Sequence, residues 1–210
     1  MKQSNLEKQI HQIPKEVKWC KKCVISNQRP RIIFDENGIC SGCKNNENKK
    51  LIDWTKREKE LIELLDKHRS KNGDFDVIVP SSGGKDSGYV AHQLKHKYNM
   101  NPLTVTWSPL AYTNIGMQNL QSKIDSGFNN ILYRPNVSFQ KKLARLCLEE
   151  LGDAFHVFVM GQVSFPFHIA LKMGIKLVFY GENGELEYAS DPNNIDKPYK
   201  PTSEWLNHYF

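Results

Sequence analysis

The chain of 210 residues contains no uninterrupted apolar run of the roughly 18 residues that a membrane-spanning helix requires. Its longest apolar candidate, residues 154–173, is broken by His156, Gln162, Ser164, Pro166, His168 and Lys172, groups costly in lipid, so it reads as a buried core segment. Residues 1–8 lack the apolar stretch of a secretory leader, and the expected location is the cytoplasm, with no membrane partner. Internal repeats and low-complexity tracts are absent, which excludes solenoids and disordered tails as the main architecture. Neither Gly-x-x-x-x-Gly-Lys-Ser/Thr nor Gly-x-Gly-x-x-Gly occurs, so any phosphate site is of neither the Walker nor the dinucleotide kind.

Cysteine is scarce, at five residues, and the odd number argues against a disulfide framework. Four of the five form two tight pairs, Cys20-x-x-Cys23 and Cys40-x-x-Cys43. This is the spacing of a four-thiolate zinc site, which is structural because tetrahedral Cys₄ ligation leaves no open position. A redox dithiol pair and an iron-sulfur cluster are the competing readings. A module so small cannot bury enough apolar surface, so metal binding would supply its folding free energy. Cys147 is left over in a helical pattern with no nucleophile motif. The histidines, His92, His96, His156 and His168 among them, show no metal spacing and read as structural or solvated.

Charge is unevenly spread. Residues 1–72 hold 17 Lys/Arg against 10 Asp/Glu, a balance of +7, while residues 73–210 hold 12 against 13, a balance of −1. Four thiolates on a zinc ion would add about −2 to the front part, which argues against nucleic acid as the partner. A basic face suits an acidic protein or a nucleotide-linked substrate equally well.

Residues 1–48 are polar and turn-rich, with Gly38 and Gly42 beside the cysteines, and predict a loop-and-short-strand zinc knuckle. Residues 49–72 predict an amphipathic linker helix with Leu51, Trp54, Leu61, Leu64 and Leu65 at helical spacing. From residue 73 to about 190, short apolar runs alternate with helical patterns. Strands are expected at 75–80, 103–107, 130–133 and 175–180, and helices at 86–98, 114–126 and 138–151. Residues 152–173 read as helical in their later part, with Val157, Phe158 and Val159 also compatible with a strand. The fold class is therefore α/β, a parallel sheet with helices on both faces, preceded by the Cys₄ module. Residues 191–210, punctuated by Pro192, Pro198 and Pro201, form an irregular tail.

The first strand runs into Ser81-Ser82-Gly83-Gly84-Lys85-Asp86-Ser87, which opens a helix. In an open α/β sheet, ligands bind beyond the carboxyl ends of strands, where a helix N-terminus presents N–H groups and a favourable dipole to an anion. Gly83 and Gly84 let the backbone approach phosphate oxygens, Ser82 and Ser87 add hydroxyls, and Lys85 supplies a compact positive charge. Asp86 repels phosphate unless a cation intervenes, so it reads as a Mg²⁺ ligand. The later patch Gly181-Glu182-Asn183-Gly184-Glu185-Leu186-Glu187 also follows a strand and is expected at the same sheet edge.

Residues 82–87 match at every position the Ser-Gly-Gly-x-Asp-Ser loop of the PP-loop ATP pyrophosphatases, which this element resembles. The resemblance implies a Rossmann-like, adenine nucleotide alpha hydrolase-like domain that adenylates a carbonyl or amide oxygen and releases pyrophosphate. A nitrogen or sulfur nucleophile then displaces AMP. It implies ATP binding by Ser82, Gly83, Gly84, Lys85, Asp86 and Ser87, with Lys85 and Asp86 catalytic. It also implies Mg²⁺ held by Asp86 with Glu187 or Glu182, and adenosine near Thr106, Trp107 and Ser108.

With the Cys₄ knuckle in front and Phe179-Tyr180-Gly181-Glu182-Asn183 behind, residues 15–190 resemble the N-acetyl sugar amidotransferases of bacterial surface polysaccharide, O-antigen and nonulosonic acid pathways. These convert a sugar acetamido group to acetamidino. The resemblance implies a nucleotide-linked acetamido sugar as substrate and two partners, a glutaminase and a cyclase-like barrel that conducts ammonia. Members of that family generally continue further at the C-terminus, so a shortened form or fragment is expected. Some tRNA thiolation enzymes also join a zinc knuckle to a PP-loop domain, and that alternative stays open, as does a non-catalytic zinc- and nucleotide-binding adaptor.

Overall fold

Val77, Ile78 and Val79 are β-branched and entirely inaccessible to solvent, as a parallel strand covered on both faces requires. The computed structural model describes residues 7, 10–11, 13–29 and 32–184, and their contacts divide them into two compact units, one built on the residues up to Asp53, the other Trp54–Glu182.

In the second unit, β1 (Val77–Pro80), β2 (Pro102–Trp107) and β3 (Asn129–Tyr133) form a parallel sheet in the order β1-β2-β3. Ile78 pairs with Leu103, Leu103 with Asn129, and Trp107 with Tyr133. Helix α2 (Trp54–His68) precedes the sheet, α3 (Lys85–His92) with a π turn over Gln93–Lys97 joins β1 to β2, and α4 (Asn114–Asp125) joins β2 to β3. Helices α5 (Val137–Leu151) and α6 (His156–Met173) follow. Leu65 of α2 and Ala91 of α3 pack with Val77 and Val79, while Ala170 of α6 packs with Ile78, Leu103 and Val105. Side chains alternate across a strand, so these two clusters lie on opposite faces and helices cover both.

After α6 the chain returns to the free edge of β1. The Ile78 N–H donates to the Leu177 carbonyl at 2.9 Å, and the Phe179 N–H donates to the Ile78 carbonyl at 2.8 Å. The sheet thus grows from β1 towards β3 in one direction, and the chain then doubles back to the other side of β1. The carboxyl end of β1 is the switch point of the topology, where open α/β sheets place their ligands.

The expected strand at 175–180 is corrected: the segment makes a single parallel bridge, Ile78 with Val178, before Gly181 turns it away. Residues 156–173 are helical throughout, so the strand reading of Val157–Val159 also falls; a short apolar run does not distinguish the two by periodicity. The buried-segment reading holds for the sheet side of α6, whereas Met160, Phe167 and Leu171 face outward and are exposed. Of the apolar positions expected to seat α2, Leu61 and Leu65 reach the core, while Leu51 and Trp54 are 83% and 60% exposed. No single helix among the described residues is long and apolar enough to cross a membrane.

In the first unit the knuckle holds two isolated antiparallel bridges, Trp19 with Ser26 and Phe34 with Cys40. It also holds a helix, α1 (Ser41–Asn48), followed by a 3₁₀ turn at Lys49–Leu51, which the loop-and-strand expectation missed. Its polar sequence has no apolar stripe to betray it, and it is started by the Cys40 sulfur, which accepts the Cys43 N–H at 3.4 Å.

Gly161 of α6 lets the Trp107 indole lie against the helix: a Cβ there would stand 2.1 Å from Trp107 Cε2. Gly161→Ala is expected to cost about 1–3 kcal/mol through overpacking, read from denaturant unfolding followed by tryptophan fluorescence. An unchanged midpoint would show that the indole does not occupy this contact.

Candidate functional site

The turn from β1 into α3 takes its shape from Gly83, whose φ of +86° is open to glycine and strained for other residues. Space is tight as well, since a Cβ at Gly83 would lie 3.0 Å from the Leu120 amide nitrogen of α4 and press on that helix. Gly84 is the N-cap of α3 and brings no capping side chain, so the first turn is left open to an external acceptor. The Ser82 hydroxyl accepts the Gly84 N–H at 3.3 Å, and the Ser87 hydroxyl donates to the Gly84 carbonyl at 3.2 Å. Lys85 Nζ lies 2.6 Å from Asp86 Oδ1. Both side chains are exposed, so water screens the pair and either partner is released at little cost to a ligand or cation.

Gly181, the first residue of the later patch, reaches this corner. A Cβ on Gly181 would stand 3.0 Å from the Asp86 carbonyl carbon and 3.1 Å from the Ser87 nitrogen, so the backbone of the returning segment lies against the first turn of α3. Glu182, exposed, is the next residue. Glu187, the other acidic residue expected to bind Mg²⁺, lies outside the described residues, as does the tail at 191–210.

The three residues expected near adenosine end β2, but their side chains are engaged within the protein. The Thr106 hydroxyl accepts from the Asn130 side-chain amide at 2.9 Å and is buried. Ser108 is fully buried, its hydroxyl donating to the Pro109 carbonyl at 3.1 Å. The Trp107 ring packs with Tyr133 and Phe165 at centroid distances of 5.1 and 5.7 Å, and its buried Nε1 has no partner.

Two residues that the sequence reading did not assign complete the corner. Ser81, buried, sets its hydroxyl 3.1 Å from that of Ser87, and Lys123 of α4 donates to the Ser81 hydroxyl. Lys123 stands one helical turn from Leu120, the residue that touches Gly83, so a single face of α4 backs the loop. Burial brings the Lys123 ammonium down from 10.5 to about 8, with no carboxylate to offset it. A lone lysine in a polar helical stretch carries no local signal of this placement.

In the other unit, Cys20, Cys23, Cys40 and Cys43 converge with all four sulfurs within 4.8 Å of one another. Cys20 and Cys43 sulfurs are 4.0 Å apart, and those of Cys23 and Cys40 are 3.6 Å apart. A tetrahedral zinc with Zn–S bonds of about 2.3 Å has sulfur-sulfur edges of about 3.8 Å, so the cluster has the donor set and dimensions to hold a metal such as zinc. Burial alone would raise the Cys20 thiol, but N–H donation from Cys40, Lys22 and Cys23 outweighs it and brings the group down to about 6. Burial and the neighbouring sulfurs push Cys43 up to about 12. Four thiolates here need a cation between them. Cys147 sits apart on α5, its thiol raised by burial and by Asp153.

No protein-family model matches the chain. Over 87 residues the chain is 33% identical to an uncharacterized protein of Methanocaldococcus jannaschii, a match that covers 41% of this chain and 31% of that relative. The chain thus spans about a third of the relative's length.

A cleft of about 530 Å³ opens at the other end of β1, lined by Lys67, Asp76, Asn101 and Lys176 among others. The Asp76 carboxylate there already accepts the Ser70 N–H at 3.2 Å and the Asn101 N–H at 2.8 Å, ordering the chain into and beside β1. The Asp76 carboxylate is thus spent on the fold.

Elemental analysis of the purified protein is expected to find about one zinc per chain, and Cys43→Ser to abolish that stoichiometry. Full metal retention by the variant would show that the four sulfurs do not act as one site. Lys123 gives a prediction in pH. The folded chain holds the Lys123 proton less tightly than the unfolded chain, so its charge opposes folding below about 8, and stability is regained as pH rises from about 8 to 10.5. Lys123→Met should therefore melt above wild type near neutral pH, with the gap narrowing across that window. A gap that is constant with pH would mean that the ammonium is not desolvated.

Proposed function

We propose that this chain is an ATP-cleaving enzyme of the PP-loop kind and, within that class, an N-acetyl sugar amidotransferase of surface-glycan assembly. The reading is carried by one conjunction: the Ser82–Ser87 corner stands at the switch point of a parallel sheet, and Gly181 lies against its first helical turn. The narrower assignment rests on the resemblance over residues 15–190, including the Cys₄ knuckle.

Lys85, the loop amides and the hydroxyls of Ser82 and Ser87 bind the diphosphate that ATP loses. Asp86 and Glu182 would hold Mg²⁺, which neutralises polyphosphate charge when bound. The acetamido oxygen of the sugar attacks the α-phosphorus, the bond to pyrophosphate breaks, and an imidate adenylate forms. Ammonia adds to the imidate carbon and AMP leaves, giving the amidine. Neutral ammonia is scarce at pH 7 and the adenylate is prone to hydrolysis, so delivery from a glutaminase through a barrel-shaped conduit suits the chemistry. The cysteine cluster has no open ligand position and serves to fold its own unit.

The test incubates the protein with MgATP, an ammonium salt and either a nucleotide-linked acetamido sugar or bulk tRNA, and follows pyrophosphate release. Sugar-dependent release is expected, with Lys85→Ala lowering kcat about 100-fold or more, as loss of a charge-stabilising donor does. Release that depends on tRNA and ignores the sugar would replace the amidotransferase reading with RNA thiolation. Turnover untouched by Lys85→Ala would remove the enzymatic reading altogether.

A further inference from the structure

Lys123 is the one feature of the corner that neither the loop motif nor packing explains. It approaches from α4, outside the loop and the later patch, and its ammonium meets a hydroxyl instead of a carboxylate. Lys123 is half-buried, and taking a charge part of the way out of water without a counter-ion is costly, so an arriving anion would be favoured there. The hydroxyl it meets belongs to Ser81, which is buried and therefore cannot turn away to water. Ser81 in turn stands 3.1 Å from the Ser87 hydroxyl, which lies in the first turn of α3 and is partly exposed. Lys85, by contrast, is held by Asp86 at the exposed lip of the same corner.

We propose that Lys123 is a positioning residue of the diphosphate site: it donates to Ser81, whose hydroxyl donates to Ser87, so that the Ser87 hydroxyl keeps its own proton for a bound phosphate oxygen. The logic is that of hydrogen-bond direction. An ammonium has only donors, so Ser81 accepts from it, and because the Ser87 proton lies on the Gly84 carbonyl, the bond between the two hydroxyls is one that Ser81 donates. Ser87, now an acceptor from Ser81, has its own proton left, and it gives up its present bond to the Gly84 carbonyl when an anion offers a stronger acceptor. The same ammonium adds positive charge behind a loop whose exposed cation is half neutralised by Asp86. The inference rests on the PP-loop reading of the corner and names a residue outside its motif.

The test measures binding of inorganic pyrophosphate with Mg²⁺, by calorimetry, to wild type, Lys85→Ala, Lys123→Met, Ser81→Ala and the Lys123→Met/Ser81→Ala double variant, each checked for folding by circular dichroism. Lys123→Met and Ser81→Ala are each expected to weaken binding about tenfold to a hundredfold, and the double variant to lose no more than the worse single one, since both break one chain. Wild-type affinity in either single variant, with Lys85→Ala still impaired, would overturn the role of Lys123 and leave the loop reading standing. Multiplying losses in the double variant would also overturn it, showing a charge that acts without Ser81. Absence of binding by wild type itself would remove the loop reading and this inference with it.

Discussion

The structure turns on a strand that is buried on both faces yet must end in a site open to solvent. Val77, Ile78 and Val79 commit β1 to the centre of the second unit, because one face is claimed by α2 and α3 and the other by α6. A strand so enclosed has freedom only at its ends. At the amino end, Asp76 spends its carboxylate tying the incoming chain to Asn101. At the carboxyl end serine hydroxyls brace the corner, but no side chain caps the first turn of α3, whose backbone donors and dipole suit an anion.

The way the chain returns makes the corner two-sided. Had the segment after α6 extended the sheet beyond β3, its end would lie far from β1; by pairing once with Ile78 it brings Gly181 against Asp86 and Ser87. A single bridge suffices because flanking residues Leu177 and Phe179 pack on the core that Val77 and Val79 already anchor. A side chain at Gly181 would press on the backbone of Asp86 and Ser87 and require it to shift. The acidic Glu182 is the next residue and is exposed.

Much of this was legible in the sequence because it is local. The alternation of apolar runs with helical patterns reports burial on two faces, and it located β1, β2, β3 and the helices between them to within a few residues. The cysteine spacing likewise predicted convergence, since each Cys-x-x-Cys turn pairs its own sulfurs. What stayed hidden depends on neighbours distant in sequence. The 175–180 segment has a strand's composition but meets a partner at one residue only. Helix α1 owes its start to a cysteine sulfur and has no apolar stripe. The Thr106 hydroxyl at the end of β2 is held by Asn130 of β3. Lys123 became visible only once α4 was laid against the loop.

Lys123 also shows why stability and site design pull apart here. An ammonium desolvated against a serine hydroxyl opposes folding at neutral pH, and an apolar side chain at that position would relieve the strain at once. The fold carries that cost beside a corner whose other cation is held by Asp86 on the surface, where water weakens it. A half-buried charge such as that of Lys123 keeps more of its field than one that water surrounds. On the proposed reading the two lysines would divide the work by depth, Lys85 meeting a ligand at the lip and Lys123 holding the Ser81 hydroxyl behind it.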